Sequence, residues 1–225
     1  MKIGNNLRSI IDNIPKKVSL VAVSKTKPVE LIKNAYDCGQ RDFGENKVQE
    51  LVNKFELLPK DIKWHMIGHL QTNKVKLIAP FIEMIHSVDS IKLINEIDKR
   101  AKQYNRIINC LLQVHIASEK TKFGFDLKKI EEIIEETKKY KNINIKGLMA
   151  MASFTNNVEQ ISKEFSLINN LFKKIQKDKI NILSTGMSND YLIAIENGSN
   201  MIRLGSVIFG KRKKYEKDNF NTKCS

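Results

Sequence analysis

Val18-Ser19-Leu20-Val21-Ala22-Val23-Ser24-Lys25-Thr26-Lys27-Pro28 reads as a buried strand that runs through a lysine into a helix. The run is apolar or small, with valine recurring, which suits a strand covered on both faces. Pro28 fits the first turn of a helix, where a missing N–H costs nothing. Lys25 therefore falls at the carboxyl end of a buried parallel strand, where α/β barrels and open α/β sheets carry their chemistry. A lysine in a strand-to-helix loop is ordinarily just solvated. Pressed against a dry strand end, its pKa falls and its amine reaches Schiff-base chemistry. Lys27 shares the strand parity of Lys25. It directly precedes Pro28, past the strand end, and is expected to be solvated, so Lys25 is the preferred amine.

The same strand-then-helix unit recurs on either side. A short helix over about 3–13 comes first and closes before Pro15. Further strands are expected at Arg41–Asn46, Trp64–Gly68, Met84–Asp89, Ile107–Ile116, Ile145–Met151, Ile180–Ser184 and Met201–Gly210. Helices fall between them. One follows Pro28 and is stopped by Gly39, one is capped by Ser90, and one over about 158–177 carries Ile161, Phe165, Ile168, Leu171, Phe172 and Ile175 at helical spacing. Eight such units without a linker predict an α/β fold, a single (β/α)8 TIM barrel with an extra N-terminal helix. An open doubly wound sheet is the alternative. The whole of 1–225 is expected to be one domain, with a basic polar tail from about 211.

Composition agrees with a globular protein: 225 residues, 41% hydrophobic and 7% aromatic. No apolar run approaches the ~18 residues of a membrane span. The opening Met1-Lys2-Ile3-Gly4-Asn5-Asn6 lacks the apolar core of a secretory signal. Cys38, Cys110 and Cys224 are odd in number and widely spaced, which reads as reduced thiols in a cytoplasmic protein. No pair has zinc-ligand spacing, and His65 and His69 flank a strand end rather than sharing a helix face, so no metal is expected. The net charge of +14 raises nucleic acid as a partner. Lysine is abundant throughout, however, and the only dense basic cluster is Lys211-Arg212-Lys213-Lys214, without a nucleic-acid motif or interleaved aromatics. It reads as a solvated tail.

In a barrel the strand ends meet on one face. Those ends offer Lys25, Glu45-Asn46, His65 with His69, Ser87-Asp89, His115, the turn Thr185-Gly186-Met187-Ser188, and Arg203 with Gly205-Ser206. Barrels frequently bind phosphate after strands seven and eight, and the two glycine-serine turns there present backbone N–H groups. Arg203 within an apolar strand is costly unless paired. It pairs either with a carboxylate such as Glu45 or with a ligand. A lysine for a carbonyl, an anion cradle and an arginine together point to pyridoxal phosphate.

The chain resembles the pyridoxal phosphate homeostasis proteins, the YggS family, whose fold is that of the alanine racemase N-terminal domain. The resemblance covers about 7–210. It is carried by Ala22-Val23-Ser24-Lys25-Thr26-Lys27-Pro28, Phe43-Gly44-Glu45-Asn46 with Val48-Gln49-Glu50, Trp64-His65-Met66-Ile67-Gly68-His69-Leu70-Gln71-Thr72-Asn73-Lys74, Gly147-Leu148-Met149-Ala150-Met151, Gly186-Met187-Ser188 and Arg203-Leu204-Gly205. It implies that Lys25 holds the cofactor as an internal aldimine and that Ser188, Gly205 and Ser206 help hold the phosphate. It further implies that Arg203 faces the pyridine nitrogen, and that Asn46 and His69 lie near the cofactor without an assigned role. Many members have Asn where this chain has His115, and Met where it has Thr185. His115 is expected to take a backbone partner.

Three functions compete. The resemblance implies a cofactor carrier or regulator in vitamin B6 homeostasis, without turnover, serving enzymes that depend on pyridoxal phosphate. The alternative is an amino-acid racemase, which needs an acid and a base on opposite faces of the substrate. Lys25 supplies one; in alanine racemases a tyrosine from a separate C-terminal domain of a partner subunit supplies the other. The sequence stops shortly after its eighth strand, so a monomeric carrier is the expectation. Nucleic-acid binding through the basic tail is the third.

Overall fold

The computed structural model describes residues 2–119, 123–177 and 179–210. Helix α1 (Lys2–Asn13) leads into β1 (Ser19–Val23), α2 (Val29–Asp37), β2 (Asp42–Glu45), α3 (Val48–Leu57), β3 (Lys63–Met66), α4 (Val75–Ile78), β4 (Met84–Val88) and α5 (Ile91–Gln103). The second half holds β5 (Ile108–His115), β6 (Phe125–Asp126), α6 (Ile130–Thr137), β7 (Ile143–Met149), α7 (Val158–Ile175), β8 (Ile182–Ser184), α8 (Tyr191–Glu196), β9 (Met201–Leu204) and α9 (Ser206–Phe209).

Every pairing between these strands is parallel. The order β4-β3-β2-β1-β9-β8-β7-β5 closes on itself through β4 and β5. The result is an eight-stranded (β/α)8 barrel, as expected from the repeated units. The two-residue β6 pairs only with β5, outside the ring. The first and last barrel strands are neighbours, with Val21 opposite Arg203.

Two apolar layers follow from the alternation along each strand. The larger packs helices onto the barrel and includes Ile32, Phe43, Leu51, Trp64, Ile94 and Phe165's neighbour Ile168. Inside the ring, a smaller cluster holds Val21, Met84, Leu111, Met149 and Met201. One glycine makes the ring close tightly: Gly147 has φ +156°, and a Cβ there would meet the Ile182 carbonyl oxygen at 1.8 Å.

Helix stops and starts fall where the residues demand. Gly39, at φ +96°, follows α2, and the Ser90 hydroxyl accepts from the Leu93 N–H at the start of α5. Strand ends shift by one or two residues in several places, and three larger departures from the sequence reading stand out. Strand β7 starts at Ile143, because Ile143 pairs with Ile108 of β5. The short β6 was not expected. The final strand ends at Leu204 instead of continuing to Gly210, because Ser206–Phe209 coil into α9. That turn buries Ile208 and Phe209, and Asn6 of α1 donates to the Ile208 carbonyl at 2.9 Å. The basic tail expected from about 211, with Cys224, lies outside the described residues. Cys38 and Cys110 are free thiols. Among the described residues no helix is long and apolar enough to cross a membrane.

Candidate functional site

Lys25 leaves the end of β1 on a short loop held from below. Ser24 is fully buried, and its hydroxyl donates to Glu45 Oε1 at 2.5 Å. Lys54 of α3 reaches under the strand end. Its ammonium donates to the Ser24 carbonyl at 2.8 Å and to Glu45 Oε1 and Glu50 Oε1 at 2.7 Å each. Glu50 also accepts from the Thr26 N–H at 2.6 Å. Thr26 has φ +64°, an unusual conformation for a β-branched residue, and these bonds hold it there. Burial outweighs the pull of Lys54 on Glu45 and pushes that carboxyl above its usual range. Lys27 is half-buried at the cavity edge. Its ammonium donates to the Gly210 carbonyl at 2.8 Å and clamps the end of α9.

Above this loop, at the carboxyl ends of the strands, is a cavity of about 800 Å³. Lys25, Asn46, Ser188, Arg203, Gly205 and Ser206 all line it, so six of the seven site residues expected from the sequence meet in one place. The seventh, His69, does not line it. Its Nδ1 lies 2.9 Å from Asp89, and its ring stacks on Phe123 with centroids 3.9 Å apart. His115 takes the expected backbone partner, with Nε2 2.9 Å from the Glu119 carbonyl oxygen.

The turns after β8 and β9 touch one another. The Gly205 N–H donates to the Ser188 hydroxyl at 3.2 Å. Gly186, at φ +92°, lets the first turn fold against α8; a Cβ there would meet that of Ala194 at 2.7 Å. The space left open by Gly205 faces β1, where an added Cβ would lie 3.3 Å from the Val23 carbonyl oxygen. That glycine therefore brings the strand ends together as much as it opens the cavity.

Arg203 is buried, and its three protein bonds go to neutral oxygens. Nη1 donates to the Ser184 carbonyl at 2.7 Å and hydroxyl at 2.6 Å, and Nη2 to the Ala150 carbonyl at 3.1 Å. The ion pair with Glu45 is not formed; that carboxylate belongs to Lys54. Burial draws the guanidinium pKa down to about 10, which leaves it charged at neutral pH, with Asp190 opposing the shift. Among the lining residues, the cations Lys25, Lys27 and Arg203 face a single carboxylate, Asp190. The Asp190 carboxylate accepts the Met187 N–H at 2.6 Å.

These residues fit a phosphorylated aldehyde. The cavity lies within the 300–1,000 Å³ typical of small-molecule sites. An amine, a guanidinium and two serine-bearing turns converge on it. Sequence reasoning missed Lys54 and Glu50, which support Lys25 from helix α3. Their i, i+4 spacing was the available signal, but the Lys54 ammonium turns inward instead of staying on the surface.

Known proteins place this arrangement in a family. The family model for the alanine racemase N-terminal domain matches residues 1–213. A pyridoxal phosphate homeostasis protein of Aquifex aeolicus is 38% identical over 198 residues, covering 86% of this chain and 87% of that protein. The structure of PipY from Synechococcus elongatus without pyridoxal phosphate superposes with a TM-score of 0.88 at 33% identity, covering 92% of this chain and 100% of that one. PipY with pyridoxal phosphate bound gives 0.82 at 32% identity, with the same coverage. The glycine-serine turns, the lysine after β1 and the arginine in β9 thus sit on a shared scaffold, and the chain belongs to the pyridoxal phosphate homeostasis protein family, whose fold is the alanine racemase N-terminal domain.

Proposed function

We propose that this protein binds pyridoxal phosphate reversibly in the cavity above Lys25 and acts as a carrier or regulator of that cofactor. The carrying observation is the charge asymmetry of the cavity, three cations against one carboxylate, with an amine at a strand end. PipY, the relative of similar fold, has a structure with pyridoxal phosphate bound. In this reading the Lys25 amine attacks the aldehyde carbon and water leaves, giving a Schiff base. Ser188, Gly205 and Ser206 hold the phosphate, and Arg203 donates to the pyridine nitrogen. Asn46 lies beside the ring. The bound cofactor would supply carbonyl chemistry toward amines. Arginine only donates hydrogen bonds, so it leaves the pyridine nitrogen unprotonated and limits such chemistry.

The test is the absorbance spectrum of the purified protein mixed with pyridoxal phosphate, before and after borohydride. A visible band that disappears on reduction, with the added mass on the Lys25 peptide, is expected. Lys25→Ala should remove the reducible band and leave weaker binding through the phosphate. If Lys27→Ala removes the band and Lys25→Ala does not, the assignment is wrong.

A further inference from the structure

Inside the barrel, below Arg203, four polar side chains form an unbroken row, of which the site described so far uses only Ser184. The Ser184 hydroxyl, which accepts from Arg203, lies 3.2 Å from His86 Nδ1. His86 Nε2 lies 2.8 Å from His65 Nδ1. His65 Nε2 lies 3.0 Å from Asp42 Oδ1. His86, Ser184 and His65 are almost completely buried, and Asp42 is the half-exposed far end. Each residue comes from a different strand: β9, β8, β4, β3 and β2. The row therefore crosses the interior of the ring, and the two imidazoles meet edge to face with centroids 5.1 Å apart.

The chemistry of the two ends gives the row one direction. Arginine has only donors, and a carboxylate has only acceptors. Arg203 donates to the Ser184 oxygen, so the single Ser184 proton is free to point at His86 Nδ1. That nitrogen then carries no proton, and His86 Nε2–H donates to His65 Nδ1. His65 in turn donates its Nε2–H to Asp42. Every link is satisfied with one proton on each imidazole, and with one proton per ring the reverse direction would leave His65 Nε2 bare against the Asp42 carboxylate. Burial above all holds His86 well below the usual imidazole range, which agrees with a neutral ring.

We propose that Asp42, His65, His86 and Ser184 are positioning residues that fix Arg203 for the cofactor's pyridine nitrogen. The row turns the Ser184 lone pairs toward the guanidinium and anchors its far end on the Asp42 acceptor oxygen. This rests on the reading above, in which Arg203 faces that nitrogen.

Two measurements test it on the full chain. The first uses nitrogen-15 NMR of the imidazoles at neutral pH without cofactor. Both His65 and His86 should be neutral, with the proton on Nε2. A proton on Nδ1 of either ring overturns the row. The second compares Asp42→Ala with Asp42→Asn, far from the cavity and half-exposed, with thermal melts confirming the fold. Asp42→Ala should weaken pyridoxal phosphate binding roughly 3- to 10-fold, the range set by one lost hydrogen bond, and shift the visible band. Asp42→Asn retains an acceptor oxygen and should restore both. Unchanged affinity and spectrum in Asp42→Ala, alongside a clear loss in Arg203→Met, overturns this inference and leaves the cofactor reading standing. Unchanged affinity in Arg203→Met overturns the placement of Arg203 and this inference with it.

Discussion

Lys54 lies under the end of β1 with Glu45 and Glu50 each 2.7 Å from its ammonium, whereas Arg203, on the neighbouring strand β9, donates to neutral oxygens of Ser184 and Ala150. Both cations are almost without solvent. Removing a charge from water costs several kcal/mol, and a protein recovers that through close opposite charge and hydrogen bonds. Lys54 has both within the chain. Arg203 has hydrogen bonds to neutral oxygens and feels the charge of Asp190 in the same cavity, which its guanidinium lines. The first cation is a structural brace. The second retains a field that an anionic or acceptor-bearing ligand completes.

The largest effect expected from this contrast is on folding. Lys54→Met should destabilise the protein by about 3–5 kcal/mol, because it leaves Glu45 fully buried and unpaired. Urea denaturation followed by circular dichroism measures it. A loss below 1 kcal/mol would erase the distinction between the two cations. Arg203→Met should cost less than about 2 kcal/mol, since relief of the buried charge offsets the lost bonds to neutral oxygens. Its pyridoxal phosphate affinity should nevertheless fall more than about tenfold, as loss of a charged hydrogen bond implies. Titration of the visible band reads that number.

The smallest effect is a slope. His86 is buried beside Arg203 and resists protonation in the folded state, while the unfolded chain takes up a proton near pH 6.5. In that window the unfolded state binds more protons, so stability rises with pH and is lost as pH falls below about 6.5. One such group contributes up to about 1.4 kcal/mol per pH unit. Comparing melts of the native protein and His86→Phe from pH 7 down to 5 should show a shallower acid slope in the variant. Parallel slopes would mean that His86 accepts a proton inside the barrel.

The contrast also explains what could be read from the residues alone. Val18–Val23 announces a buried strand through its own composition, and Lys25, Ser188, Arg203 and Gly205 follow because a barrel brings all its strand ends to one face. Lys54 was hidden because amphipathic spacing places a lysine on a helix without saying that its long stem bends inward. His69 was expected near the cofactor, but Asp89 and Phe123 hold it away from the cavity lining. The row from Asp42 to Arg203 joins five strands across the ring, so only their register in space reveals it. The end of β9 was misjudged because Val207, Ile208 and Phe209 are as apolar as a strand, yet they pack as a helical turn against α1.

The pairing of β1 with β9 has a consequence during synthesis. Lys27 and Phe209, which are in contact, are 182 positions apart in the sequence. At the usual pace of translation, the lysine emerges from the ribosome roughly ten to forty seconds before the arginine, glycine and serine that complete its pocket. Until then the nascent chain has an amine with no anion cradle beside it. A ribosome-bound chain halted after β8 would have no finished ring, and the protein would acquire its affinity for a phosphorylated aldehyde only as the last strand slots in.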